Sequence, residues 1–387
     1  MKRIKTTERP GWDDRAEALG FTWRHLDGTR YWDERAYYQF TLAEVEVGLE
    51  APAAELHALC LDLVDEVVKS EALMARLAIP EAVRDDVAES WARKDPSLYG
   101  RFDFAYDGTG PAKLFEYNAD TPTSIYETGT FQWIWLEEMI TAGRLPADAD
   151  QFNSLHEKLE ARFRAIFPGG GFVHFSSDPD SLEDRQTVRY LEDIATQAVL
   201  EPKFVGIRAI GLDANGRFID QDNYLINALF KLYPWEEMFR EDYAAHLKTS
   251  GTRFLEPPWK AVLSNKGLLP LLWQRHEGHP NLLAAYFEND PRVGELGNSY
   301  VRKPLFSREG ANIELVAKGR RAKVLDQGYG EEGHIRQALH PLARFDGNYP
   351  VIGAWMVGAE PAGIGIREDR SRVTRNLSRF VPHIIAD

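Results

Sequence analysis

The chain has 387 residues, 44% of them hydrophobic and 12% aromatic, enough for a large core or two to three domain-sized units and too aromatic for disorder. A formal net charge of −14 repels phosphate over the whole surface, which excludes non-specific binding to nucleic acid or anionic membranes but leaves room for a local basic pocket and for a cationic partner. A single cysteine, Cys60, excludes an internal disulfide framework, no stretch approaches the roughly 18 apolar residues of a membrane span, and MKRIKTTERPGWDDR lacks the apolar core of a secretion signal, so a cytoplasmic protein is expected.

Residues 1–40 mix aromatics and charge, with a short helix expected near 13–19. Residues 41–95 read as helices. PAAELHALCLDLVDEVVKS repeats Leu56, Leu59, Cys60, Leu63 and Val67 at helical spacing behind Pro52, taken as the helix entry, and Cys60 reads as a small buried hydrophobe. IPEAVRDDVAESWARK repeats the pattern behind Pro80. Residues 99–118 read as a hairpin, SIYETGTFQWIWLEEMI as a helix, and 152–167 as another. PGGG at 168–171 reads as a C-cap and turn into the strand FVHFSS; no P-loop lysine follows it. A helix over 182–200 precedes strands in KFVGIRAIGL and RFIDQDNYLINALFKLYPW. PPWKAVLSNKGLLPLLWQ reads as helical, and NSYVRKPLF, YPVIGAWMVG and AGIGIRE as strands. There is no repeat, low-complexity tract or flexible linker. The expectation is one interlocked α+β unit over 1–387 with a helical N-terminal region. Its expected lobes are 1–150, 151–255 and 256–387.

The hairpin RFDFAYDGTGPAKLFEYNAD carries the strongest chemical signal. With a turn at 108–111, alternation puts Arg101, Asp103, Glu116 and Asn118 on one face and Phe102, Phe104, Phe115 and Tyr117 on the other. Asp103 then faces Glu116, and like charges directly opposite cost up to about 1 kcal/mol, more when buried. One resolution is a divalent cation: two carboxylates and an amide carbonyl are hard oxygen ligands suited to Mg²⁺, with Arg101 facing an anion beside it. The other is an acidic face with Arg101 ion-paired to Asp103 or Glu116. The following NADTPTS offers Thr121, Thr123 and Ser124 at a helix entry, where hydroxyls and N–H groups hold a carboxylate or simply cap the helix. Lys266 in VLSNKGLLPLLW and Lys303 in YVRKPLFS stand among apolar residues, where a lysine either meets an anion or snorkels to the surface. FSREGAN, 306–312, is a polar loop able to fold over phosphates with Arg308 as a clamp.

Together RFDF, FEYNAD, EPPWKAVLSNKGLLPLLW, YVRKPLFSREGANI and FDGNYPVIGAWMVG resemble, in order and through nearly the whole chain, the synthetase domain of the glutathionylspermidine synthase family. The likeness is to its stand-alone members, described as acid–amine ligases, which lack the cysteine amidase domain. The resemblance implies an ATP-grasp-like multi-lobed fold holding ATP between β-rich lobes. It implies an ADP-forming ligase joining a peptide-like acid to a polyamine-like amine through an acyl phosphate, with ATP and Mg²⁺. By position it implies Asp103, Glu116 and Asn118 as Mg²⁺ ligands and Arg101 as the arginine stabilising acyl-phosphate formation. Lys266 and Lys303 fall as ATP-binding lysines, Arg308, Glu309, Gly310 and Asn312 as the mobile phosphate loop, and Arg367 as a further phosphate-side arginine. Gln337, Leu339 and His340 fall at the adenine, and Thr121, Thr123 and Ser124 at the acid. Ser124 stands where the glutathionylspermidine enzymes carry a cysteine, and Val351 where they carry a polar nucleotide contact. Asp120 or Glu236 is left to assist or hold the amine. The alternatives are a catalytically silent Mg-ATP-binding protein and a metal-dependent phosphohydrolase.

Overall fold

The hairpin forms one side of a larger sheet. A computed structural model describes residues 1–386 except 27, 309, 324–327, 376 and 377. In it Tyr99–Ala105 and Lys113–Asn118 pair antiparallel, with Arg101 opposite Asn118 and Asp103 opposite Glu116, the register that alternation predicts. A bulge follows Asp103, so Phe104 faces Leu114 and Phe115 becomes the extra residue. The expected aromatic face is corrected accordingly. Phe102, Phe104 and Tyr117 are buried, but Leu114 takes the fourth place and Phe115 is only half-buried.

Tyr99–Ala105 continues into Tyr349–Val357, then Glu360–Asp369 and Arg379–Val381, giving a five-stranded antiparallel central sheet. A second antiparallel sheet orders Ala285–Phe287, His334–Ala338, Tyr300–Pro304, Glu314–Ala317 and Arg320–Lys323. A third, all parallel, orders Arg253–Leu255, Ala228–Leu232, Gly171–Ser177 and Leu200–Gly206. Parallel neighbours need a crossover; helix Leu182–Gln197 supplies it between Gly171–Ser177 and Leu200–Gly206. Lys2–Lys5, Ala36–Phe40 and His383–Ile385 tie the two ends of the chain together.

The helical stretch after residue 41 begins earlier than Pro52. Thr41 and Glu44 close a capping box, and the helix runs from Leu42 through a π turn, Glu46–Glu50, to Val67. The wide turn ahead of Pro52 relieves the clash its ring makes with the carbonyl four residues back. This helix buries Leu56, Cys60, Leu63 and Val67 in the core that also takes Phe102, Phe104 and Tyr117 from the hairpin. The aromatic face thus anchors the hairpin, and the charged face is left to the cleft.

Candidate active site

The charged face of the hairpin opens on a cleft of about 440 Å³ between the central sheet, the 119–124 loop and the 307–313 segment. Arg101 grips Asp103 with two bonds, Nε–Oδ1 at 2.7 Å and Nη2–Oδ2 at 3.1 Å. Its Nη1 donates to the Thr123 carbonyl at 2.7 Å, and its guanidinium lies 5.6 Å from the Trp355 ring centroid. Gly353, paired with Asp103 on the neighbouring strand, makes room: a Cβ there would fall 2.7 Å from Arg101 Cδ. Asn118 donates through Nδ2 to Asp103 Oδ2 at 3.2 Å.

Glu116 meets Lys266, Oε2 to Nζ at 3.3 Å, and Lys266 also donates to the Ser307 carbonyl at 2.7 Å. Burial alone would raise the Glu116 carboxyl, but Lys266 and Lys303 outweigh it and hold it at about 2. The facing acids therefore do not require a metal to be tolerated: Arg101 neutralises one and the two lysines the other. The Arg101–Asp103 pair is the second of the two resolutions the hairpin allows, and Glu116 gains cations that lie 150 or more positions later in the chain. Asp103, Glu116 and Asn118 still present two carboxylates and an amide on one cleft wall, a donor set that fits Mg²⁺. Among the described residues no group of three or more His, Cys, Asp or Glu side chains offers another metal site.

Lys303 is buried where the second sheet meets the hairpin, donating at 2.8 Å to both the Phe115 carbonyl and Gln337 Oε1. Gln337 donates in turn to the Leu114 carbonyl at 3.0 Å. Leu339, His340 and Asn312 stand outside the cleft lining, as do Lys303 and Gln337. His340 lies near Lys113 and Asp107 at the hairpin tip. Arg308 and Gly310 line the cleft; Glu309 lies outside the described residues. Arg308 reaches Glu236, Nη2 to Oε1, at 3.4 Å. Gly310 has φ 72°, and a Cβ on it would meet the Thr374 carbonyl at 2.8 Å, so glycine lets this loop sit against residues 373–374. Arg367 lines the same cleft, donating to the Arg375 carbonyl at 2.6 Å and lying 5.7 Å from the Tyr31 ring centroid.

Thr121, Thr123 and Ser124 border the cleft beside Arg101. Asp120, considered for the amine, is buried and committed: it takes bonds from Lys231 Nζ at 2.7 Å and from the Trp235 N–H at 2.9 Å. Glu236 faces the cleft, with only Arg308 paired to it among the ion pairs of the described residues. Sequence reasoning missed Ser181, Glu183 and Asp184, which line the same cleft at the start of helix Leu182–Gln197. Ser181 accepts from the Asp184 N–H, and in the sequence this reads as an ordinary helix cap. The cleft is thus lined by charges of both signs, with Glu183, Asp184 and Glu236 adding carboxylates to those of the hairpin.

The sequence profile of the glutathionylspermidine synthase preATP-grasp family matches residues 3–386. A Haemophilus influenzae protein provisionally named acid–amine ligase is 39% identical over 99% of both chains. The bifunctional glutathionylspermidine synthetase/amidase of Escherichia coli is 29% identical, and the trypanothione synthetase of Crithidia fasciculata 28%. The matches cover 90% and 85% of this chain but only 59% and 54% of those longer proteins. Among solved structures, a glutathione synthetase-like effector from Globodera pallida in apo form shares the fold, with a TM-score of 0.53 at 11% identity over 98% of both chains. No helix among the described residues is long and apolar enough to cross a membrane.

Proposed function

The chain belongs to the glutathionylspermidine synthase family, and from that premise we propose that it is an ATP-dependent ligase that joins a carboxylic acid to an amine and releases ADP and phosphate. The observation that carries this is that one cleft is lined both by cations, Arg101, Lys266, Arg308 and Arg367, and by the carboxylates Glu183, Asp184 and Glu236. A triphosphate and a carboxylate need the first; an ammonium group needs the second.

A free carboxylate does not acylate an amine at neutral pH because its leaving oxygen is too poor, so the acid must first become an acyl phosphate. Lys266, Lys303 and Arg308 would draw the phosphates to the hairpin face. Thr121, Thr123 and the adjoining N–H groups would orient the acid so that its oxygen meets the γ-phosphorus in line. Arg101, fixed by Asp103, Trp355 and the Thr123 carbonyl, would face the charge that spreads over the transferring group. Mg²⁺, held by Asp103, Glu116 and Asn118, would supply charge neutralisation between those carboxylates and the phosphate oxygens. Glu236 would hold the incoming ammonium while Arg308 turns to phosphate. The acid is expected to be peptide-like, as glutathione is, and the amine a polyamine.

The test measures ADP and phosphate release over a panel of acids, each with and without amines, starting from glutathione and spermidine. A ligase gives sustained turnover only when both are present. Turnover of phosphate esters without ATP would identify a phosphohydrolase, and ATP binding with no turnover on any pair would leave a silent nucleotide-binding protein; either sinks the proposal.

A further inference from the structure

Two glycines that face each other across the central sheet leave a slot in the lining of the cleft. Gly353 pairs with Gly365, and a Cβ on either would collide, on Gly353 with Arg101 Cδ and on Gly365 with Thr128 Oγ1 at 2.5 Å. Arg101 and Thr128 thus each come down on the sheet where a side chain would otherwise stand. Trp355 touches both. It follows Gly353 by two residues on the same strand and so shares its face. Its ring carries the Arg101 guanidinium, and its Nε1 donates to Thr128 Oγ1 at 3.2 Å. Thr128 binds the Ser124 carbonyl twice, from Oγ1 at 2.8 Å and from its N–H at 3.3 Å. The carbonyl just before it, that of Thr123, is the one that Arg101 holds at 2.7 Å. Arg101, Thr123, Ser124, Thr128 and Trp355 therefore close a circuit of contacts, and both Thr128 and Trp355 are fully buried.

The circuit joins the two parts that acyl-phosphate formation must align: the arginine facing the phosphoryl group and the hydroxyl loop orienting the acid. We infer that Thr128 and Trp355 are positioning residues that set the acid-side loop at its distance from Arg101, an inference that rests on the ligase activity proposed above. Arg101 and Thr123 are 22 positions apart, so the chain itself does not fix their separation. Their direct bond cannot fix it alone, because the same guanidinium must answer the charge that spreads over the transferring group. The Thr128 bonds hold the loop independently of Arg101, and Trp355 ties Thr128 back to the ring face on which Arg101 rests. Both residues act through the loop and the arginine; neither is assigned a contact with the reacting atoms.

The backbone here is shaped around these contacts. Ser124 has φ 69°, rare outside glycine, and Thr128 lies in a π turn, Glu127–Phe131, a widening common at functional sites. Gln132 Nε2 donates to the Thr128 carbonyl at 2.9 Å and to the Ile364 carbonyl at 3.0 Å, which ties the turn to the strand that carries Gly365. Tyr99 lies parallel to Trp355, ring centroids 5.9 Å apart, and its hydroxyl donates to the Pro122 carbonyl at 3.4 Å. The carbonyls of Pro122, Thr123 and Ser124 are thus each held by a different residue, and all three holders meet at Trp355. A misplacement of about 1 Å in such a loop is enough to cost about 100-fold in rate.

The test uses the full chain with Mg-ATP and glutathione, or the acid that the panel above identifies. It reads the acid-dependent burst of ADP without amine, and nucleotide affinity by calorimetry. Thr128→Val keeps the shape and removes the hydroxyl, Thr128→Ser keeps the hydroxyl and removes a methyl, and Trp355→Phe keeps an aromatic face for Arg101 and removes the N–H. For Thr128→Val and Trp355→Phe the burst rate at saturating acid should fall about tenfold or more. Nucleotide affinity and the KM for the acid should stay within about twofold of wild type, the mark of an interaction that counts in the transition state. Thr128→Ser should stay within about threefold of wild type, and the double variant Thr128→Val with Trp355→Phe should lose little more than either alone, because both break one line of bonds. A packing role reverses the order, with Val faster than Ser, and overturns the inference. So does a burst within about twofold of wild type in both Thr128→Val and Trp355→Phe, or a fall in nucleotide affinity equal to the fall in rate. If one of these two variants fails to fold, the other decides. Each of these results needs a wild type that gives the burst; a wild type with no acid-dependent burst on any acid overturns the ligase assignment and the inference with it.

Discussion

Burial pulls the Lys303 ammonium down to about 8; Glu116 and Asp103 pull it up, and Lys266 opposes them. A polyphosphate beside it would add negative charge and raise it again, so nucleotide binding should be linked to proton uptake. The lysine is fully charged below its free value, so its contribution to affinity is complete below pH 8 and fades as pH rises through the higher value of the complex. Nucleotide affinity should therefore fall by up to about tenfold per pH unit above pH 8. Calorimetry in two buffers of different ionisation enthalpy should show fractional proton uptake at pH 8.5, and Lys303→Met should abolish both effects. A flat affinity between pH 7 and 9.5 would remove Lys303 from the nucleotide site. Asp103 offers a second test, because it is bonded to Arg101 and proposed for Mg²⁺ at once. Asp103→Asn keeps a hydrogen-bonding shape for Arg101 but loses the charge. The Mg²⁺ concentration giving half-maximal ADP release should rise about tenfold or more, since even outer-shell losses at metal sites cost this much. An unchanged Mg²⁺ requirement would leave Asp103 as the arginine's counter-ion and nothing more.

The hairpin register was legible because period-two alternation fixes which side chains share a face, and the residues opposite one another at 101/118 and 103/116 are as alternation requires. The bulge at Phe115 was not, since one extra residue leaves no mark in composition. Short elements such as Ala285–Phe287 and Arg253–Leu255 also escaped, because three residues carry no period. Nor could alternation within one hairpin show that the neighbouring strand contributes Gly353 under Arg101. That contact is a prediction in its own right. In Gly353→Ala the new methyl must displace an arginine pinned at Asp103, Thr123 and Trp355. The sheet itself need not move, because the backbone at 353 is ordinary for a strand. Stability should change by no more than about 1 to 3 kcal/mol, as for overpacking elsewhere. The single-turnover rate of acyl-phosphate formation should fall far more than nucleotide affinity does. Equal losses in both, or no loss in either, would show that Arg101 has room to spare.

At the scale of the whole molecule, the cleft is assembled from parts that are distant in the chain. Arg101 and Glu116 come from the hairpin, Glu183 from a crossover helix of the parallel sheet, Lys266 from the segment before Leu268–Arg275, and Arg367 from the far side of the central sheet. This convergence explains why the sequence named the basic residues, which sit in motifs of unusual composition, and missed Glu183 and Asp184, which sit in an ordinary helix cap. It also means that a ligand in the cleft touches every principal sheet or the segments leading to it, and must stabilise the folded state as a unit. Mg-ATP at 100 times its dissociation constant should add about 2.7 kcal/mol. For a cooperative unit of this length that corresponds to roughly 3 °C in Tm. The shift should rise with the logarithm of nucleotide concentration and shrink strongly in Lys266→Met, which leaves Glu116 without its nearest cation. A carboxylic acid substrate added with a non-hydrolysable ATP analogue should raise Tm further, because it occupies the hydroxyl loop at 121–124 rather than the phosphate side. No shift with millimolar Mg-ATP would mean that this cleft does not hold the nucleotide, whatever its charge pattern. A shift of equal size in wild type and Lys266→Met would place the nucleotide elsewhere on the molecule.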